Sequence, residues 1–521
     1  MKQEKVLTGC ACCTMSRRRF LTSGCAACAG AVGAAIMAPK PVFGQGASRP
    51  CVRIVYALHA EVQPGPDWPN VGFDFRPVME RINAALSQNC PELDFVTATA
   101  TGEDQAAAIL EGDKNEKVDG YIVYQLNCWN RVAQTIATSG KPVLYADFQF
   151  GGSGGFLVYT AAFLRQGAPN LGFVASSDMD DIIAAAKCFA PTIKSGTAND
   201  FAALVAKSRV SNTPKPGDLT CKPDMVETLS VDAWKARIAE SRILAVLDQE
   251  ARPADPVMGI AIEYIAFQEL NDAWEAADKD EARAIADEWQ QNASRIEDVS
   301  RETLEQSAAM YLAEKAVLKK HNANAITINC LGGFYGGHIH AYPCLGFHEL
   351  NNEGLIGACE CDIRSTATMV AFTTLTQGRP GYISDPVIDT AKRQIIYAHC
   401  VASNKVFGPD GSKNAFEILT HSEDRQGAAV RSILPTEYMT TSLEVSQENK
   451  EILFHQAKAV ANDPDDRACR TKLCGEPVGD MEKLFTQWDR WGWHRVTFYG
   501  DLKAPVFELA DALGWKVLEE A

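Results

Sequence analysis

The sequence is short of positive charge. Its 50 Lys and Arg residues stand against 66 Asp and Glu, a formal balance of −16 over 521 residues. Such a field repels nucleic acid and anionic membrane, so neither is an expected partner. Neutral sugars, polyols and metal cations remain compatible with it. Long apolar runs are also lacking: past residue 46 no stretch approaches the roughly 18 uninterrupted apolar residues of a bilayer-crossing helix. Cysteine is plentiful, 17 in all, yet the repeated Cys-x-x-Cys spacing of a zinc or iron–sulfur site is missing. FGGSGGF (150–156) has the glycines of a phosphate loop without its Lys-Ser/Thr ending or a GxGxxG spacing. It reads as a flexible connection.

What is present is an ordinary globular composition, 46% hydrophobic and 22% charged, on a chain long enough for about two to four domains. SRRRFLT (16–22), followed by SGCAACAGAVGAAIMA and PKPVFGQ, reads as a twin-arginine export signal over residues 1–46. It places the mature chain in the periplasm or cell envelope, free of the membrane once the signal is removed. Cys10, Cys12, Cys13, Cys25 and Cys28 belong to that leader, which leaves twelve cysteines. An exported chain can keep disulfides, and Cys469 and Cys474 in CRTKLC have the spacing to close a short surface loop.

Strand-like VRIVYAL (52–58), LDFVTATA (93–100), VDGYIVYQL (118–126) and KPVLYAD (141–147) alternate with helical FRPVMERINAAL, QAAAILEG and WNRVAQTIATSG. That alternation predicts a parallel α/β domain over 50–170. A second α/β domain over 171–335 holds SRILAVLD (241–248), long charged helices with solvated faces, and a strand at AITINCLG (325–332). The third, 336–521, opens on a His-, Tyr-, Cys- and Gly-rich stretch and includes RQIIYAHC (393–400) and a closing helix at VFELADALG.

Within it, GACECD (357–362) follows apolar LIG and sets Glu360 two residues from Asp362. Alternate residues of a strand face one way, so both acids are expected in one site. Hard divalent cations take such oxygen ligands, and Mn²⁺ accepts imidazole beside them. The plainer reading is a solvated strand end, or acids satisfied by Arg364. His494, hemmed by Trp491 and Trp493, reads on its own as a packed core residue. His399, at a strand end, suits a sugar hydroxyl or simple packing. His338 and His340 stand at strand spacing in GGHIHAY, as metal ligands or as a loop lining the site.

The runs ITINCLGGFYG, PCLGFHELNNEGLIGACECD, TMVAFTTLTQGRPGY and IIYAHC, with the ending WGWHRVTFYGDLKAPVFELADALGWKV, resemble the L-fucose/L-arabinose isomerase family over residues 50–521. The resemblance implies a three-domain α/β architecture, two parallel-sheet domains followed by a mixed α/β domain carrying the metal site. It also implies a homo-oligomer and a Mn²⁺-type divalent metal. Asp362 matches the family's strand-end acid, with Glu360 two positions before it, and His494 matches the C-terminal histidine. The family's second acid has no match. Its place falls near Pro343 and Cys344, leaving His338, His340 or Glu349 as substitutes.

The implied chemistry is aldose–ketose isomerisation through an enediolate, with Asp362, Glu360 and His494 on the metal. Asp362 or Glu360 moves the proton, and His399 and His340 bind the sugar. The missing acid keeps two alternatives open: an exported carbohydrate epimerase or lyase with a modified site, and a sugar-binding protein without turnover.

Overall fold

The computed structural model describes residues 49–521, and the expected twin-arginine signal lies outside the described residues. The first sheet takes β1 (Cys51–Ala57), β2 (Asp94–Ala100), β3 (Gly120–Gln125), β4 (Val143–Asp147) and β5 (Leu171–Val174). They pair in parallel in the order β2-β1-β3-β4-β5. β3 and β4 bury every residue, because helices cover both faces of such a sheet, and so they read as unbroken apolar runs. In this strand order ligands bind beyond the carboxyl ends of the strands, where β1 and β3 diverge. His59 and Asn127 meet there, the His59 amide donating to the Asn127 side chain at 2.9 Å.

The glycine run at 150–156 is not a flexible connection. Ser153 opens a helix, Ser153–Gln166, with Gly154 and Gly155 buried in its first turn. A Cβ on Gly154 would lie 2.6 Å from the Trp493 ring, and one on Gly155 3.0 Å from the Trp129 nitrogen. Glycine here permits close approach of two tryptophans rather than movement.

The second sheet takes β6 (Arg242–Leu247), β7 (Arg252–Val257), β8 (Ile260–Ala266), β10 (Ala325–Ile328) and β11 (Ile356–Cys359), in the order β11-β10-β6-β8-β7. Only the edge strand β7 runs antiparallel. β9 (Arg295–Glu297) joins β14 (Phe416–Leu419) and β15 (Ala429–Ser432) in a small separate sheet. β10 stops at Ile328, short of the expected span, because the Asn329 side chain accepts the Gly332 amide and starts a helix, Cys330–Tyr335.

The C-terminal part departs from the expected mixed α/β layer. β12 (Tyr382–Asp389), β13 (Gln394–His399), β16 (Met439–Ser446), β17 (Glu451–Asn462), β18 (Thr471–Val478) and β19 (Arg495–Tyr499) are antiparallel neighbours in the order β16-β19-β12-β13-β18-β17. β17 pairs back onto β16 and closes a barrel, which leaves no open edge among the six strands. β20 (Lys516–Glu519) runs parallel beside β17, after the helix Lys503–Leu513. Cys469 and Cys474 are both buried and free, so they do not close the expected surface loop.

Candidate functional site

The site forms where the carboxyl end of β11 meets the open end of the barrel. β11 ends at Cys359, and the next two residues, Glu360 (φ 64°) and Cys361 (φ 53°), are both left-handed. Two successive non-glycine residues in that region cost energy, and such strain persists where surrounding structure enforces it. Here the Cys361 amide donates to the Ile328 carbonyl (3.0 Å). Asp362 then caps the helix Ile363–Leu375, accepting from the Ser365 amide (3.0 Å) and hydroxyl (3.0 Å). Glu360 and Asp362 therefore converge through a tight turn and not through strand alternation.

Three neighbouring barrel strands supply the rest. Asp385 lies on β12, His399 ends β13, and His494 stands one residue before β19. Register sets Ser384 opposite Arg495 and Asp385 opposite Ala398, which brings Asp385, His399 and His494 to one end of the barrel. Ligand atoms of Glu360, Asp385, His399 and His494 all lie within 4.8 Å of one another. His494 Nε2 is 3.0 Å from Asp385 Oδ1 and 3.5 Å from Glu360 Oε2. His399 Nε2 is 3.8 Å from Glu360 Oε1 and 3.9 Å from Asp385 Oδ2.

These close atoms make no hydrogen bond to one another. Asp385 Oδ1, His399 Nε2 and His494 Nε2 are buried and make no hydrogen bond. Buried polar atoms are normally satisfied, and Asp385 Oδ1 and His494 Nε2, converging with Glu360 without bonding one another, fit a shared cation. Two carboxylates and imidazole nitrogen form a donor set for a divalent ion of the Mg²⁺–Mn²⁺–Zn²⁺ range. The buried cluster is thus able to hold a divalent metal.

Asp362 sits one layer behind. Its Oδ2 is 2.8 Å from His494 Nδ1; an ionised carboxylate only accepts, so Nδ1 carries a proton, and Nε2 is the nitrogen that a cation would take in place of its proton. Burial works against the charge on Asp362, but the His494 hydrogen bond overrides it and holds the carboxyl well below its usual range. Glu360 is lowered the same way. His494 is driven well above its ordinary value by Asp385, Asp362 and Glu360, against the opposing effect of burial. Beneath them Glu444 lies against the hydroxyls of Ser365 (3.1 Å) and Thr368 (3.3 Å), and burial pushes its carboxyl up to about 8, so that it keeps a proton of its own.

Of the expected site residues, Glu360, His399 and His494 come together, with Asp362 on the far nitrogen of His494. His340 does not join them: it is exposed, 3.6 Å from Glu275 and packed on Trp274. GGHIHAY is no strand; the helix before it ends at Tyr335, and His338 stacks on Phe267 of the helix Phe267–Glu275. Glu349 accepts from Trp289 (2.9 Å), and Arg364 donates to the Trp491 carbonyl rather than to either acid. The residue missed from sequence is Asp385. Its signal is an acid inside YISDPVID, a strand whose eight residues are all buried.

No protein-family model matches this chain. A segment of 101 residues is 27% identical to a sulfoquinovose isomerase of Alkalicoccus urumqiensis, covering 19% of this chain and 23% of that protein. Segments of 90 residues are 29% identical to sulfoquinovose isomerases of Priestia aryabhattai and Priestia megaterium, covering 16% of this chain and 20% of each. The match thus spans less than a quarter of the length of these relatives. Among solved structures, one described as "XylFII molecule" aligns at 11% identity over 60% of this chain and 97% of its own, with a TM-score of 0.16. That likeness carries no argument. The named relatives are sulfoquinovose isomerases.

Proposed function

We propose that this chain is a metal-dependent aldose–ketose isomerase with an architecture like that of L-fucose isomerase. The observation that carries the reading is Asp385. The family's second acid has no match upstream of Glu360, and Asp385 supplies a buried carboxylate from downstream, aimed at the same point as His494. Glu360, Asp385 and His494 would hold the ion, with Mn²⁺ the first candidate for such a mixed oxygen and nitrogen set. A cation held there would supply Lewis acidity to an open-chain sugar.

The side chains divide the remaining work. Asp362 is saturated by Ser365 and His494, so it orients the imidazole and is not the base. Glu360, whose side chain is 29% exposed, is the carboxylate positioned to carry a proton between C1 and C2 through an enediolate. The Cys400 amide donates to His399 Nδ1 (3.0 Å), which puts the neutral ring's proton on Nε2. His399 is then a donor to a sugar hydroxyl.

The substrate is a small sugar, and assembly into a homo-oligomer and export by the twin-arginine route belong to the same reading. Its test is a screen of aldoses for ketose formation with added Mn²⁺, repeated after chelation. Ketose formation that chelation removes supports the proposal, and turnover that survives chelation contradicts it.

A further inference from the structure

Glu444 is a buried carboxyl in the barrel wall that the proposed function leaves unused. It stands on β16, opposite Leu453 of β17. Against it packs the helix Ile363–Leu375, where Ser365 and Thr368, three residues apart, share one face. Glu444 Oε2 is 3.1 Å from Ser365 Oγ, and its Oε1 is 3.3 Å from Thr368 Oγ1.

Counting hydrogens gives these contacts a direction. Ser365 Oγ stands between two carboxyls, 3.0 Å from Asp362 Oδ2 and 3.1 Å from Glu444 Oε2. Two such contacts need two hydrogens, and a hydroxyl supplies one. The ionised Asp362 supplies none, and its Oδ2 already accepts from His494 Nδ1 (2.8 Å). The second hydrogen therefore belongs to Glu444. Thr368 agrees: it donates to the Arg364 carbonyl (2.9 Å) and accepts the Val445 amide (3.1 Å), which leaves no full donor for a charged Glu444. Burial, reinforced by Asp362 and opposed by Arg495 and Arg364, favours the same neutral form. Those two cations are held elsewhere, Arg495 by Glu520 (2.6 Å) and Arg364 by the Trp491 carbonyl (2.6 Å).

We propose that Glu444 is a positioning residue of the metal site: as a neutral acid it donates to Ser365, which leaves the serine hydrogen for Asp362 and so fixes the plane of His494. This rests on the reading of the cluster as the metal site of an isomerase. The chain runs from the Glu444 hydroxyl to Ser365 and from the Ser365 hydroxyl to Asp362, which takes the His494 ring proton on the same oxygen. A charged Glu444 would compete for the serine hydrogen and set a second carboxylate against Asp362.

The test is Mn²⁺ titration of full-length variants, each checked for folding by circular dichroism. Beside it, nuclear magnetic resonance follows the His494 ring proton in metal-free protein with isotope-labelled histidine. Glu444→Gln keeps the length, a donor for Ser365 and an acceptor for Thr368. It is expected to keep both the Mn²⁺ affinity and the resonance. Glu444→Met and Ser365→Ala are each expected to weaken Mn²⁺ binding by about 10-fold or more and to shift the resonance; Ser365→Ala serves if Glu444→Met does not fold. The two together are expected to lose no more than one alone, because each breaks the same chain. A loss in Glu444→Gln as large as that in Glu444→Met, full affinity in Glu444→Met or in Ser365→Ala, or additive losses in the double variant overturns the assignment. A wild type that takes up no Mn²⁺ overturns the metal-site reading and this assignment with it.

Discussion

The Asp362 carboxylate accepts the Nδ1 proton of His494 at 2.8 Å, and the opposite nitrogen of that ring stands 3.0 Å from Asp385. The two acids thus act on one imidazole in different ways. Asp362 fixes its tautomer and plane, and Asp385 shares the point at which its Nε2 is aimed. Asp362→Asn therefore weakens divalent metal binding by about 10–100-fold without abolishing it. Calorimetric titration with Mn²⁺ measures this, and total loss of binding would make Asp362 a ligand.

Gly154 is a packing requirement of the site. An alanine methyl there would lie 2.6 Å from the Trp493 ring, the residue next to His494. Gly154→Ala is expected to destabilise the fold by about 1–3 kcal/mol and to weaken metal binding by displacing His494. Denaturant unfolding and metal titration on the same variant check both effects.

The backbone at His494 is clamped by a buried ion pair. Arg495 bonds Glu520 (2.6 Å), lies over the Trp488 ring (3.9 Å) and donates to the His494 carbonyl (2.7 Å). Glu520→Gln leaves a buried guanidinium uncompensated and is expected to cost about 3–5 kcal/mol. Burial opposes the Glu520 charge, but Arg495 overrides it and holds the carboxyl at about 2 against an ordinary 4.5. A depressed folded value means that this stability is present above 4.5 and is lost as pH falls towards 2. The variant should lack that part of the acid dependence in unfolding midpoints measured across the range.

Asp147 has the opposite sign. It is buried at the end of β4 with Ser153 on one oxygen (2.8 Å) and no partner on the other. Burial raises it from an ordinary 3.8 to about 7. The folded state keeps its proton where the unfolded chain has lost it, so stability falls as pH climbs from 3.8 through 7. Asp147→Asn is expected to flatten that slope in thermal unfolding over the same interval; an unchanged slope would assign the dependence to other groups.

Much of this was legible in the sequence where one rule governs. β3 and β4 are apolar throughout because both faces are covered, and Glu360 stands out as an acid at the end of a core strand. Asp385 was hidden by the same apolar background. Nothing local shows that an acid in YISDPVID will meet an imidazole 109 positions on; only barrel register does that. His340 failed for the converse reason. Two histidines at spacing two suggest one face, but Gly336 and Gly337 end a helix there and no strand forms. The glycines at 150–156 looked permissive, and their role became visible only with Trp129 and Trp493 packed against them.

The central claim is that Glu360, Asp385 and His494 together hold a divalent ion. The most direct test is elemental analysis of wild type and Asp385→Asn, purified in parallel, loaded with Mn²⁺ and dialysed against metal-free buffer. The account predicts about one ion per folded wild-type chain and almost none in a variant that remains folded by circular dichroism. Equal metal in the two proteins, or none in the wild type, would contradict it.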